Sequence, residues 1–92
     1  MALRAQSRLG GELQVRPADS PRQAQSFRFE GLGNVESVEV NPNTIMKLIS
    51  SVQDQIVQYE LQLKKNGREP RTIEIEPDHE VRIGDFMVRY TA

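Results

Sequence analysis

The sequence predicts an α+β fold in which a small antiparallel or mixed sheet packs on one long helix. Between residues 41 and 67, apolar residues recur every three or four positions, which is the spacing of one face of a helix. On either side of this segment apolar and polar residues alternate, which is typical of half-buried strands. The predicted order is therefore two strands, the helix, and two or three further strands within a single domain.

The predicted helix would present one apolar stripe, formed by Ile45, Ile49, Val52, Ile56, Tyr59 and Leu63. Asn41 or Asn43 would serve as its N-cap, and Asn66-Gly67 as its left-handed C-terminal stop. Such a stripe requires a partner surface, because an isolated amphipathic helix is only marginally stable in water. Since Ile56 would lie at the centre of the stripe, Ile56→Asp is expected to unfold the domain or to dissociate it from its partner.

Five segments are predicted as strands. Two precede the helix, at residues 26–30 and 35–40, and the glycine-containing segment between them suggests a hairpin. Three follow the helix, at residues 72–76, 80–83 and 86–90. Gly84-Asp85 fits a two-residue hairpin loop with glycine first.

Residues 1–24 are predicted to form a flexible, basic arm ahead of an α+β domain at residues 25–92. The arm has few large apolar side chains with which to offset its ordering entropy. It also carries more arginine than acid, as shown by Arg4, Arg8, Arg16 and Arg22 against Glu12 and Asp19.

Composition excludes several classes of protein. The chain has no cysteine, which removes disulfides, thiolate metal sites and cysteine nucleophiles and makes the cytoplasm the expected compartment. A net charge of −1 argues against a globally basic nucleic-acid-binding protein. No apolar run approaches the length of a membrane span.

No residue pattern indicates catalysis. The one histidine, His79, lies in an acidic turn whose spacing matches no metal-binding loop. Ser50 and Ser51 have no histidine near them in the sequence that could act as a base. The sequence therefore predicts no enzymatic activity, no metal, no cofactor and no small-molecule substrate.

Two functions remain as hypotheses. The first is a protein-binding or assembly subunit that self-associates or docks on a larger complex through a second apolar edge of the helix, formed by Met46, Val57 and Leu61. An equally favoured alternative is that the domain wraps further round the helix and buries these three side chains. The alternative is a nucleic-acid-associated accessory protein that uses the N-terminal arginines and a basic cluster formed by Lys64, Lys65, Arg68 and Arg71. A protein partner or a second copy is preferred to nucleic acid, because no exposed aromatic residue for base stacking lies near the basic cluster.

Overall fold

The computed structural model describes residues 8–92, whose regular secondary structure is almost entirely β-strand. The strands are β1 (Gly10–Pro17), β2 (Gln25–Glu30), β3 (Val35–Asn41), β4 (Thr44–Gln53), β5 (Ile56–Lys65), β6 (Arg71–Ile75), β7 (Glu80–Ile83) and β8 (Phe86–Thr91). One short 3₁₀ turn, Pro21–Gln23, connects β1 to β2. None of the helical structure in residues 8–92 is long enough to cross a membrane.

The strands form two antiparallel four-stranded sheets, with the orders β2–β1–β8–β7 and β3–β4–β5–β6. Each sheet turns one face towards the other, and a single apolar core fills the space between them. The first sheet contributes residues such as Leu13, Val88 and Tyr90, and the second contributes Leu48 and Leu61. The fold is therefore a β-sandwich.

The predicted α+β class is wrong, because the segment assigned to the helix forms the hairpin of β4 and β5. Within β4, Thr44, Met46, Leu48 and Ser50 point into the core, which is the period of two expected for a strand. The predicted stripe is split between the two faces of the hairpin. Ile45 and Ile56 lie on the outer face, where they are 46% and 62% exposed.

The physical reason for this error is that β4 carries apolar residues on both faces, so its alternation is hidden. Ile45 and Met46 are neighbours on opposite faces, and so are Leu48 and Ile49. The residues read as helix ends are also good turn formers. Asn41 Oδ1 accepts a hydrogen bond of 2.9 Å from the backbone N–H of Asn43 in the β3–β4 turn.

The other strand predictions are confirmed as strands, but the hairpin predicted for the first two is wrong. β2 pairs with β1, and β3 pairs with β4, so the two strands belong to different sheets. The hairpin of β7 and β8 is confirmed, with Gly84-Asp85 as its two-residue loop. Gly84 adopts φ of 58°, as the first position of such a loop requires.

The predicted basic arm also differs from the structure. Residues 10–17 form β1, which lies inside the first sheet between β2 and β8. Leu13 and Val15 are buried there and are the large apolar side chains with which this strand packs into the core. The first seven residues of the predicted arm lie outside the described residues.

Candidate functional site

The hairpin of β4 and β5 extends beyond the rest of its sheet. β3 pairs with β4 only as far as Ile49, and β6 pairs with β5 only as far as Tyr59. Residues 51–58 therefore form a two-stranded ribbon, closed by Asp54 and Gln55 with φ of 52° and 66°. Positive φ at both positions is the signature of a type I′ turn. Two paired strands without further support are marginally stable, so this ribbon is well placed to gain stability from a partner.

A groove of about 650 Å³ lies between this ribbon and the chain that links β6 to β7. We call it the ribbon groove. Its lining is Ile56, Val57, Gln58, Tyr59, Glu74, Ile75, Glu76, Pro77, His79, Glu80 and Val81. Val57, Tyr59, Ile75 and Val81 provide apolar surface, and all except the largely buried Ile75 are partly exposed. The groove thus offers apolar contact area that solvent can reach.

The polar lining of the ribbon groove is acidic. Glu74, Glu76 and Glu80 are all exposed, and no lysine or arginine lines the groove. Glu80 receives a salt bridge of 3.1 Å from Arg16 of β1. His79 Nε2 lies 3.6 Å from Glu76 Oε2, and both side chains face solvent. Glu74 forms no salt bridge with any of the described residues. Because the lining contains three glutamates and no lysine or arginine, the groove carries net negative charge.

The three residues of the predicted interface edge do not lie together on one exposed surface. Met46 and Leu61 are completely buried in the core, where neither side chain can contact a partner of the folded protein. Val57 is half-buried and lines the ribbon groove. Only Val57 therefore stays available for binding, and the helix edge that defined the prediction does not exist.

The structure brings most of the predicted basic cluster to a second, smaller pocket. Lys65, Arg68 and Arg71 line a cavity of about 150 Å³ at the opposite end of β6. Lys64 does not line this cavity; it lies on the outer face of the sheet, opposite Ile45. Glu69 and Asp85 also line the cavity, so carboxylates offset much of its positive charge.

Asp85 neutralises part of the positive charge of this second pocket. Lys65 Nζ donates a hydrogen bond of 2.9 Å to Asp85 Oδ2. This hydrogen bond and the charges of Lys65, Arg82 and Arg68 lower the pKa of Asp85 below its ordinary value. Lys65, the most buried cation of the cluster, is thus already paired with a carboxylate.

Tyr90 anchors the ribbon groove to the first sheet. Its hydroxyl donates a hydrogen bond of 2.6 Å to the carbonyl oxygen of Gly10, and its ring centroid lies 5.2 Å from that of Tyr59. Burial, together with the nearby Tyr59 hydroxyl, raises the pKa of Tyr90. Tyr59, whose ring lines the groove, is thereby held against a fixed neighbour.

We expect the stability of the protein to fall as the pH rises above about 10, the pKa of an unperturbed tyrosine. The folded state holds the Tyr90 proton to higher pH than the unfolded state does, so the stabilising contribution is complete below pH 10 and is lost as the pH rises through the folded-state pKa. Urea unfolding at a series of alkaline pH values measures this loss. Tyr90→Phe, which cannot ionise, should show a smaller decline, and an identical decline would contradict the assignment to Tyr90.

Sequence reasoning missed most residues of the ribbon groove. Tyr59 was assigned to the helix stripe, and Ile75 and Val81 fall in segments that were predicted only as strands. The signal that could have identified the hairpin is the β-branched content of residues 44–57, since such residues favour strands. No local pattern marks the groove itself, because its walls come from segments about 20 residues apart.

Comparison with known proteins identifies no relative of this chain: no family model, no curated protein and no solved structure matches it.

Proposed function

We propose that this protein is a non-enzymatic protein-binding module, acting as an assembly subunit or adaptor, whose ribbon groove accepts an extended, basic and partly apolar segment of another protein. The observation that carries this proposal is the acidic, solvent-accessible apolar groove beside an unsupported ribbon. Grooves that combine apolar area with a few oriented polar groups are the usual form of a binding site.

Charge complementarity determines the kind of partner. Exposed Glu74 and Glu76 would attract lysine or arginine and would repel an acidic segment. The apolar lining, including Val57 and Val81, would bury the apolar side chains of the same segment. A nucleic acid, which carries one negative charge per nucleotide, would be repelled from this site.

The chemistry of the described residues supports binding rather than catalysis. His79 and Glu76 are both exposed, so neither lies in a closed cleft from which water is excluded. No group of three or more metal-ligating side chains converges within residues 8–92. The absence of cysteine from the whole chain fits a reducing compartment, and we place the module in the cytoplasm.

The proposal is tested by titrating the protein with a short fluorescent peptide in which valine and lysine alternate. We expect this peptide to bind and to shift the NMR signals of the Val57 and Val81 methyl groups. The double variant Glu74→Lys, Glu76→Lys should lower the affinity about tenfold, which corresponds to about 1.4 kcal/mol, and raising the salt concentration should also weaken binding.

Two matched controls accompany this titration. Glu39→Lys makes one such charge reversal on the exposed outer face of β3, away from the ribbon groove, and should leave the affinity unchanged. A peptide in which glutamate replaces lysine should not bind. If the lysine peptide fails to bind, or if Glu39→Lys weakens binding as much as the groove variant, the proposed site is wrong.

A further inference from the structure

One edge of β5 has no neighbouring strand where it lines the ribbon groove. β6 pairs with β5 from Leu63 to Tyr59, where Ile75 is the last paired residue of β6. The chain then turns away through Glu76 and Pro77, towards β7 in the other sheet. The position in line with β6, opposite residues 56–58 of β5, is therefore not filled by another strand of the described chain.

Two backbone hydrogen bonds establish which groups of β5 point towards this open position. Asn66 N–H donates to Asn43 O at 3.0 Å, so even-numbered residues of β5 direct their backbone groups towards β4. Ser50 N–H donates to Asn34 O at 2.9 Å, on the side of β4 that faces away from β5. The backbone N–H and C=O groups of Tyr59, which lies opposite Ser50, therefore point away from β4. Both bonds give the same alternation. By this alternation, Val57 directs its N–H and C=O groups towards the open position.

The register also determines the faces on which an added strand would place its side chains. Directly opposed residues of neighbouring strands share a face, so a residue opposite Val57 would point inwards, beside Ile75. The residues before and after it would point outwards, on the face that carries Glu60 and Glu74. An added strand would thus bring apolar residues to the inner face and basic residues to the outer face.

We propose that the partner segment binds as an added strand in line with β6, forming backbone hydrogen bonds with Val57. This inference rests on the proposed function, since it specifies how the basic segment is held in the ribbon groove. Pairing of an extended segment with an open strand edge is a general mode of peptide recognition, in which the backbone supplies affinity and alternate side chains supply selectivity.

Backbone N-methylation of the valine–lysine peptide tests this arrangement. In the proposed register every valine N–H points towards β5 and every lysine N–H points away from it. We therefore expect N-methylation of the valines to weaken binding tenfold or more, because the methyl groups remove hydrogen-bond donors and obstruct close approach. N-methylation of the same number of lysines should change the affinity less than threefold.

Amide hydrogen exchange provides a second measurement on the unmodified protein. Peptide binding should slow exchange of the Val57 amide at least tenfold. The Gln58 amide, which points towards β4 in this alternation, should change little, so it acts as the internal control.

The outcomes separate this inference from the proposed function. Failure of the unmodified peptide to bind would refute both. If the unmodified peptide binds and the two methylated forms bind equally well, the added strand is refuted while binding in the groove remains. A third outcome concerns the protein without peptide. If its Val57 amide exchanges slowly under conditions in which light scattering gives the mass of a dimer, a second copy occupies the position and the partner segment is refuted.

Discussion

Met46→Lys is expected to unfold the protein, whereas Ile45→Lys, one residue earlier, is expected to leave it folded. Met46 is completely buried between the sheets, opposite Leu63 of β5. Replacing it removes a core side chain and buries a charge, and each of these changes costs several kcal/mol. The combined loss is comparable to the whole stability of a small domain, which is about 5–15 kcal/mol.

The control for this prediction depends on the alternation within β4. Ile45 points to the outer face and is 46% exposed, so its lysine variant should change the free energy of unfolding by about 1 kcal/mol or less. Circular dichroism and urea unfolding of the two variants measure the difference. In the helix predicted from sequence, Ile45 belongs to the packed stripe and Met46 does not, so Ile45→Lys would be the more destabilising of the two. Unfolding by Ile45→Lys alone would therefore contradict the hairpin.

Gly11→Ala is expected to destabilise the protein by about 3 kcal/mol, because Gly11 has a backbone conformation that only glycine adopts without strain. Gly11 has φ of 121°, and a Cβ atom at this position would overlap the carbonyl oxygen of Thr91 and the backbone of Ala92. β1 lies between β2 and β8, so a local shift there disturbs two strand pairings. Thermal unfolding should show a lowering of Tm of more than about 10 °C.

Gly33→Ala is the matched control for this substitution. Gly33 is not among the glycines with positive φ, and a Cβ atom there would meet no atom within 4 Å. We expect its Tm to change little or to rise slightly, since alanine reduces the conformational freedom of the unfolded chain. Equal losses of Tm in the two variants would show that Gly11 has no special conformational requirement.

The parts of the fold that sequence analysis recovered are those in which local pattern and turn chemistry agree. β7 and β8 alternate clearly and are joined by a glycine-first loop, and both strands were predicted close to their observed bounds. β4 and β5 were not recovered, because their connecting residues Asp54 and Gln55 include no glycine despite their positive φ. The pairing of β4 with β5 up to Gln53 and Ile56 imposes this conformation without the glycine that would have marked the turn in the sequence.

The candidate site was less predictable than the fold. Val57 is partly exposed and lines the ribbon groove, but the helix edge on which its prediction rested does not exist. Met46 and Leu61 were predicted to be exposed and are buried, since a period of two and a period of 3.6 place the same residues on different faces. The acidic lining of the ribbon groove, by contrast, is visible in the sequence as acidic residues at alternate positions from 74 to 80.

The sequence by itself determined the alternation in the C-terminal strands, the turns around Asn66-Gly67 and Gly84-Asp85, and the lack of cysteine chemistry. These properties depend on neighbouring residues alone. Tertiary structure decided which face of β4 is buried and that β2 and β3 belong to different sheets. It also decided that β6 ends opposite Tyr59 and so leaves the first residues of β5 unpaired on that side, which creates the ribbon groove. The reason is that strand pairing depends on contacts between distant segments, which local spacing does not encode.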